Sequence, residues 1–226
     1  MTWNLQGSHR PDLEEVGALI RGFGADVACL QEVWNGQAAQ LAAVTGLEHR
    51  FWSMKHQPFG PFLRSRAEGM AVLSRFPLAS TGSELLTPHA PGWHSSRRIL
   101  QHAAVPTLGV SVVNVHLSSH SQTAARQVQA ARIGERFGRA GGVVVAGDFN
   151  AAGEPDLWAQ LDEAGLIDRW DPSRGAGFTC RAGRADQRLD RVLTTADLSV
   201  TSMEVPADGP VWARRSDHLP VVAHFA

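Results

Sequence analysis

Several short apolar segments of this sequence are followed directly by side chains that could bind a metal ion or transfer a proton. The ends of neighbouring strands can bring such side chains together on a rigid scaffold. A single segment of this kind, Asp148-Phe149-Asn150, would more often form a turn, because Asp and Asn favour turns. The recurrence of the pattern along one chain indicates a shared site instead. Its members are Glu32, His116, Asp148 and Asn150, which follow such segments, together with Asp217 and His218, which precede the last one.

Part of this set suits a hard divalent cation. The carboxylates of Glu32 and Asp217 and the side-chain oxygen of Asn4 are ligands of the kind that Mg²⁺ or Mn²⁺ prefers. Hydrolysis of a phosphate ester needs a positive centre beside the non-bridging oxygens, an oriented water molecule and a stabilised leaving oxygen. The sequence therefore predicts a magnesium- or manganese-dependent hydrolase.

The remaining polar residues could transfer the protons of that reaction. Asp148 could accept the proton of the attacking water, and Asn150 could orient that water or the phosphate. His218 could contact a phosphate oxygen as an imidazolium. Other chemistries lack their motifs, because the chain has no Cys/His cluster with zinc spacing, no Gly-x-Ser-x-Gly segment and no P-loop.

The segments that must position these residues have the patterns of short strands and amphipathic helices. Strands are predicted close to Met1 and over residues 26–30, 70–74, 98–105, 110–115, 143–146, 188–193 and 221–225. Helices are predicted over residues 11–23, 122–137 and 155–164, with Ser121 as the N-cap of the second. The two kinds of element do not alternate strictly, which favours an α/β fold of two packed sheets with helices outside.

The composition is that of an ordinary globular protein, with 43% hydrophobic and 19% charged residues. We expect one catalytic domain over residues 1–226, without a membrane span. A net charge of −1 argues against a protein that coats nucleic acid through a broad basic face. Only two cysteines occur, Cys29 and Cys180, and we expect them to be unpaired in a cytoplasmic protein.

A series of segments spanning nearly the whole chain resembles the motifs of the endonuclease/exonuclease/phosphatase superfamily. In chain order, the segments are Thr2-Trp3-Asn4-Leu5-Gln6, Leu30-Gln31-Glu32, Gly69-Met70-Ala71-Val72-Leu73-Ser74-Arg75-Phe76-Pro77, Val115-His116-Leu117, Gly147-Asp148-Phe149-Asn150, Arg188-Leu189-Asp190-Arg191-Val192-Leu193 and Ser216-Asp217-His218-Leu219-Pro220. The order of Gly-Asp-Phe-Asn followed later by Ser-Asp-His-x-Pro is quite specific. Either segment alone would be weak.

The resemblance implies a four-layer αββα sandwich, in which two packed mixed sheets are flanked by helices. It implies a metal bound by Glu32, with Asn4 and Asp217 close by. Asp148 would orient or deprotonate the attacking water, with Asn150 beside it. His116 looks like the histidine that contacts the phosphate in the family, and Asp190 looks like the carboxylate that orients His218. As an alternative, Asp190 could be a surface ion-pair residue between two arginines.

Three segments could recognise the substrate. The first, residues 55–66, combines basic residues with two phenylalanines: Lys55, His56, Arg64 and Arg66 with Phe59 and Phe62. This combination could bind a phosphate backbone and stacked bases. Alternatively, the segment could be a solvated loop. Arg97 and Arg98 begin a strand, and one of them, such as Arg98, could bind a phosphate through two hydrogen bonds, or both could be ordinary strand-edge charges. Trp212 and Arg215 directly precede Asp217 and should therefore lie near the metal. The other histidines considered, His94, His102 and His120, are expected to be surface or structural residues.

These observations predict a Mg²⁺- or Mn²⁺-dependent phosphodiesterase that acts on a phosphodiester such as a nucleic-acid end or a nucleotide. The segment from Val115 to Arg126 somewhat resembles tyrosyl-DNA phosphodiesterases of the second class. The chief alternative is a phosphomonoesterase or a phospholipid-headgroup hydrolase on the same scaffold. A catalytically silent binding module would need a broken site, and every motif residue is present. No protein partner is implied.

Overall fold

The computed structural model describes residues 1–55, 67–87 and 97–226 of the chain. Several residues predicted to face the substrate or the surface lie outside the described residues. They are His56, Phe59, Phe62, Arg64, Arg66 and His94.

The first sheet has four strands. They are β1 (Thr2–Asn4), β2 (Val27–Val33), β3 (His49–Met54) and β4 (Gly69–Ser74), in the spatial order β1-β2-β4-β3. Strand β1 runs parallel to β2, and the other neighbours are antiparallel.

The second sheet has six strands. They are β5 (Ala79–Leu85), β6 (Ile99–Val105), β7 (Val110–His116), β8 (Val143–Asp148), β9 (Ile167–Asp168) and β10 (Asp190–Thr194), in the order β5-β6-β7-β8-β10-β9. Strands β7 and β8 are parallel, and the other neighbours are antiparallel.

Helices cover the outer face of each sheet. Helices α1 (Leu13–Gly22) and α2 (Asn35–Thr45) share a buried apolar cluster with β1, β2 and β4, whereas α3 (Thr123–Phe137) and α4 (Pro155–Glu163) pack with the second sheet. A third apolar cluster joins the inner faces of the two sheets. The layers therefore run αββα, which confirms the predicted fold class. In the described ranges, no helix is long and apolar enough to cross a membrane.

The last part of the chain returns to the first sheet. Strands β11 (Val200–Glu204) and β12 (Val222–Phe225) form an antiparallel pair. Just before β12, Val221 exchanges two backbone hydrogen bonds with Thr2, at 2.9 and 3.0 Å. This pairing holds Asp217 and His218 next to the residues that follow β1.

The sequence patterns locate most elements but not all of them. Helix α2 and the strands β3, β5, β9 and β11 were not predicted; β5 is mostly exposed and polar, and α2 has small residues in place of a clear apolar stripe. The predicted N-cap Ser121 is wrong, because Gln122 occupies the N-cap of α3 and makes no side-chain capping hydrogen bond.

Buried amides join the two sheets directly below the polar edge. Asn114 Nδ2 donates to the carbonyl oxygens of Leu30 and Ala71, both at 3.1 Å, and to Gln101 Oε1 at 3.0 Å. Gln31 Nε2 in turn donates to Asn114 Oδ1 at 2.7 Å. Because buried polar groups are costly unless they are paired, this network favours one relative position of the sheets. Gln31 precedes Glu32, so the network also fixes the backbone that carries this carboxylate.

Candidate active site

Strand pairing places three of the predicted site residues side by side. His116 ends β7 and pairs with Asp148, which ends β8 and in turn pairs with Asp190 at the start of β10. Residues directly opposite one another on neighbouring strands point to the same face of a sheet. The side chains of all three are buried. The sheet thus assembles a row of two carboxylates and one imidazole at one edge of the sandwich.

Asp148 lies at the centre of this row and is only 1% exposed. Its Oδ1 accepts a hydrogen bond from the backbone N–H of Asn150 at 2.8 Å, and its Oδ2 accepts one from Asn4 Nδ2 at 3.1 Å. Burial raises the pKa of Asp148 above the usual carboxyl value, although the charge of His218 acts in the opposite direction. The side chain is therefore a fixed carboxylate with an increased affinity for a proton.

The turn after β8 holds Asn150 in the left-handed region, with φ of 53°. Asn tolerates this conformation better than most residues, and here its backbone N–H reaches Asp148 while its Nδ2 donates to Leu117 O at 3.1 Å. The Gly-Asp-Phe-Asn segment is thus a turn and a part of the site at once. The sequence left open whether this segment is a turn or part of a site, and the structure shows that one geometry accommodates both.

Glu32 lies inside β2 at a bulge, not after the end of the strand as predicted. Its φ is 56°, and the pairing with β4 shifts register between Gln31 and Val33. A residue other than Gly held in the left-handed region costs roughly 1–3 kcal/mol and often marks a functional position. Burial raises the pKa of the Glu32 carboxyl, and the nearby charge of Glu68 raises it further.

Asn4 connects the two carboxylates with its amide nitrogen. Its Nδ2 lies 3.4 Å from Glu32 Oε1 and 3.1 Å from Asp148 Oδ2, while its Oδ1 accepts from the backbone N–H of Gln6 at 3.2 Å. A backbone N–H can only donate, so this contact establishes which atom of the amide is the oxygen. In this arrangement Asn4 orients the carboxylates and directs its oxygen away from them.

Asp217 is half-buried on the loop before β12. The side chain of Gln6 donates from Nε2 to Asp217 Oδ2 at 3.3 Å, and the carbonyl oxygen of Asp217 accepts from Ala182 N–H at 2.7 Å. Gln6 was not predicted as a site residue, although it belongs to the same motif segment as Asn4. Its contact links the residues after β1 to the Ser-Asp-His segment.

His218 forms a tight pair with Asp190. His218 Nδ1 lies 2.7 Å from Asp190 Oδ2, and His218 Nε2 lies 3.9 Å from Asp148 Oδ2. Burial by itself would lower the pKa of His218, but the charges of Asp190 and Asp148 and the hydrogen bond to Asp190 raise it well above 6.5. Asp190 is fully buried against this imidazole, so it does not lie at the surface, as the alternative of a surface ion-pair residue would require.

His116 faces the same carboxylates from β7. Its Nε2 lies 3.6 Å from Asp148 Oδ2 and 3.9 Å from Glu32 Oε1. On the other side of the ring, Lys55 Nζ lies 3.3 Å from Nδ1 and 2.7 Å from Glu68 Oε1. The sequence patterns assigned Lys55 to a substrate loop and did not include Glu68, although Glu68 directly precedes the apolar strand β4.

The charges around this edge suit a divalent cation. Among the described residues, carboxylates outnumber cationic side chains here, and burial raises the pKa of both Glu32 and Asp148. A nearby cation would stabilise their ionised forms. Ligand atoms of Asp148, Asp190 and His218 also lie within 4.8 Å of one another, although the short contact between Asp190 and His218 accounts for this grouping. The acids are Glu32, Glu68, Asp148, Asp190 and Asp217, and the cations are Lys55, Arg98 and His218.

Arg98 enters the second sheet at the same edge as His116. It directly precedes β6, in which Leu100 pairs with Val115 of β7. Burial lowers the pKa of the Arg98 guanidinium, whereas the nearby charges of Asp148 and Glu68 raise it. The side chain is 6% exposed, and its buried Nε and Nη1 atoms have no hydrogen-bond partner among the described residues.

Trp212 and Arg215 make contacts of a structural kind. Trp212 is buried in the cluster beneath α1 and packs edge-on against Trp3, with ring centroids 5.8 Å apart. The guanidinium of Arg215 forms an ion pair with Glu15 of α1 and lies 5.4 Å from the Trp212 ring. The expected substrate-binding role of these two residues gains no support from these contacts.

The four-layer fold is that of a family of hydrolases of phosphate esters. The model of the Endonuclease/Exonuclease/phosphatase family matches residues 1–218, and the chain belongs to this family. Comparison with curated proteins gave no match.

Several solved structures have the same fold. An endonuclease/exonuclease/phosphatase from Beutenbergia cavernae has a TM-score of 0.81 and 25% identity, over 98% of this chain and 69% of that chain. A 3′ phosphatase from Neisseria, bound to a product DNA hairpin, has a TM-score of 0.73 and 22% identity, over 100% and 98%. A mannosyl-6-phosphatase from Bacteroides thetaiotaomicron has a TM-score of 0.72 and 17% identity, over 100% and 98%.

Proposed function

We propose that this protein is a Mg²⁺- or Mn²⁺-dependent phosphodiesterase that cleaves a phosphodiester such as a nucleic-acid end or a nucleotide. The observation that carries the proposal is the setting of Asp148. This buried carboxylate accepts hydrogen bonds from Asn4 and Asn150, and the Nε2 atoms of His116 and His218 face it. A base for the attacking water thus lies beside donors for the phosphate oxygens, as hydrolysis requires.

Glu32 and Asp217 are the residues that would hold the cation. Both offer carboxylate oxygens at the edge of the site, and Asn4 and Gln6 orient them through contacts of 3.4 and 3.3 Å. When bound, the cation would supply positive charge beside the non-bridging oxygens of the phosphate. We propose an orienting role for Asn4, because its oxygen accepts from Gln6 N–H and faces away from the carboxylates.

Asp148 would take the proton of the attacking water. A raised pKa makes it a stronger base than an ordinary carboxylate, provided that it is ionised at the working pH. The Asn150 N–H holds Asp148 Oδ1 at 2.8 Å and leaves Oδ2 directed at Asn4 and the two histidines. The side chain of Asn150 lies beside the same carboxylate, close to where the water would lie.

His218 would donate a hydrogen bond to a phosphate oxygen. Its Nδ1 is engaged by Asp190 at 2.7 Å, so Nε2 is the atom left to contact substrate. Its raised pKa favours the imidazolium, which strengthens that hydrogen bond as negative charge builds up on the phosphate.

Arg98 would bind the substrate phosphate or a neighbouring one. Buried guanidinium nitrogens are costly when they lack partners, and phosphate oxygens match their spacing through paired hydrogen bonds. The electrostatic interaction of Arg98 with Asp148 and Glu32 supports this assignment. We therefore retain Arg98 as a substrate-binding residue.

A second candidate function has an observation in its favour. Two structurally similar proteins are named as phosphatases, the 3′ phosphatase of Neisseria and the mannosyl-6-phosphatase of Bacteroides thetaiotaomicron. A phosphomonoesterase on the same scaffold would use the same base and the same cation. A phospholipid-headgroup hydrolase is a variant of this alternative. The cytoplasmic location expected from the sequence stays a prediction.

A panel of substrates assayed with added Mg²⁺ or Mn²⁺ tests the proposal. The diesters are bis-p-nitrophenyl phosphate and oligonucleotides with plain, abasic or 5′-tyrosyl ends. The monoesters are p-nitrophenyl phosphate, sugar phosphates and 3′-phosphorylated DNA. Sphingomyelin tests the release of a phospholipid headgroup. We expect metal-dependent cleavage of diesters. Turnover of monoesters or sphingomyelin without any diester would select the alternative, and no turnover at all would overturn both.

A further inference from the structure

The single lysine of this chain lies buried at the active site. The chain has 21 residues of Lys and Arg, of which only Lys55 is a lysine. Lys55 directly follows β3, and its backbone N–H donates to Glu68 O at 2.8 Å, which continues the pairing of β3 with β4. The residue is 2% exposed, and its Nζ forms an ion pair with Glu68 Oε1 at 2.7 Å.

The ammonium of Lys55 also contacts His116 across the two sheets. Lys55 Nζ lies 3.3 Å from His116 Nδ1. A lysine ammonium has three donors and no acceptor, so a hydrogen bond between these atoms requires a lone pair on Nδ1. The hydrogen of a neutral imidazole is then on Nε2. This is the nitrogen that lies 3.6 Å from Asp148 Oδ2 and 3.9 Å from Glu32 Oε1.

The geometry points to Lys55 as a positioning residue that fixes His116 as the Nε2–H tautomer and directs this N–H toward the substrate phosphate. Glu68 forms an ion pair with the ammonium on one side, and the pairing of β3 with β4 holds the backbone that leads into Lys55. His116 then presents Nε2–H as its hydrogen-bond donor. The step from a fixed tautomer to phosphate binding rests on the proposed phosphoesterase function, whereas the tautomer itself does not.

The shape of the residue matters as well as its charge. The ammonium is a compact group with rotatable donors, whereas a guanidinium is a wide planar fork that needs more room and fixed partners. At this position the group must reach a carboxylate and an imidazole nitrogen while being almost fully buried. An ion pair with Glu68 alone would leave the orientation of His116 unaffected.

Nitrogen NMR of the histidine side chains tests the inference directly. The full chain, labelled with ¹⁵N-histidine and saturated with Mg²⁺, gives a pattern that separates the two tautomers and the imidazolium. The signals of His116 are identified by their loss in His116→Gln. We expect an acceptor-type Nδ1 and a protonated Nε2. A wild-type His116 with its hydrogen on Nδ1, or with both nitrogens protonated, would overturn the inference, even if Lys55→Met failed to fold.

The variant Lys55→Met removes the charge and keeps the length of the side chain. We expect the His116 pattern to become a mixture of tautomers and kcat to fall roughly 10- to 100-fold, as is typical when the partner that orients a functional histidine is lost. The matched control is Arg50→Met, which removes an exposed cation from β3, the strand directly before Lys55, and should change neither quantity. An unchanged His116 pattern in folded Lys55→Met would also overturn the inference. Absence of phosphoesterase activity in the wild type would instead remove the proposed function and leave the NMR result to decide the tautomer.

Discussion

The Nε2 atoms of His116 and His218 lie 3.6 and 3.9 Å from the same atom, Asp148 Oδ2. The Nδ1 atoms of the two rings have opposite partners, since His116 contacts the ammonium of Lys55 and His218 contacts the carboxylate of Asp190. The two imidazoles therefore present Nε2 to a single base, while their Nδ1 atoms contact groups of opposite charge.

Metal removal tests the role of Glu32. We expect EDTA to abolish activity and Mg²⁺ or Mn²⁺ to restore it, because the site carries an excess of carboxylates that a cation would stabilise. Glu32→Gln should weaken Mg²⁺ binding in calorimetry more than it lowers the free energy of unfolding. The exposed Glu48→Gln is the matched control. Full activity of the metal-stripped protein in EDTA would rule out the metal dependence.

Asp148→Asn separates a base from a ligand. The amide keeps the shape of the side chain but cannot accept the proton of water. We expect kcat to fall by at least about 10²-fold, the lower end for a positioned general base, while Mg²⁺ binding persists in calorimetry. Asp156→Asn, on the exposed side of α4, should leave both quantities unchanged. Loss of metal binding in parallel with kcat would assign Asp148 to coordination instead.

The Asp190–His218 pair should behave as one unit in catalysis. If Asp190 acts only through His218, removing either residue should cost much of what removing both costs. We therefore expect Asp190→Asn, His218→Ala and the double variant to be strongly non-additive in kcat/KM at saturating metal. Losses that simply add would remove Asp190 from the site.

The same pair should make stability depend on pH. The pKa of His218 is raised above its ordinary value of 6.5, so folding favours the protonated form. This contribution is fully present below the unfolded pKa and is lost as the pH rises through the higher folded pKa. Urea unfolding should therefore show a larger difference between wild type and Asp190→Asn at about pH 6 than at alkaline pH. A difference independent of pH would indicate that the pair contributes only through packing.

Arg98 can be compared with its neighbour Arg97. If the buried donors of Arg98 bind phosphate, Arg98→Met should lower kcat/KM by roughly 10- to 100-fold, as expected for a hydrogen bond between charged groups worth about 1.5–3 kcal/mol. Arg97 is exposed and directly precedes it, so Arg97→Met removes the same charge from the same loop. Equal effects of the two substitutions on kcat/KM would mean that only the general positive charge matters.

The sequence alone predicts the parts of the site that local patterns encode. Apolar segments followed by polar residues locate Asp148 and His116 at strand ends, and the order of Gly-Asp-Phe-Asn and Ser-Asp-His indicates the family. The same pattern predicts Glu32 as a site residue, but it does not predict the bulge within β2 at which Glu32 lies. These features depend on alternation and turn preferences, which act over a few residues.

Tertiary structure alone decides which of the remaining polar residues face the site. Lys55 reaches His116 across 61 positions of sequence, and Gln6 reaches Asp217 across 211. Trp212 and Arg215 are near Asp217 in sequence, yet packing directs one into the core and the other toward α1. Sequence spacing describes position along a strand or loop, but the partner of a side chain is selected by how the two sheets and their helices pack. The tautomer inferred for His116 follows from such a contact between sheets, and no pattern within either segment encodes it.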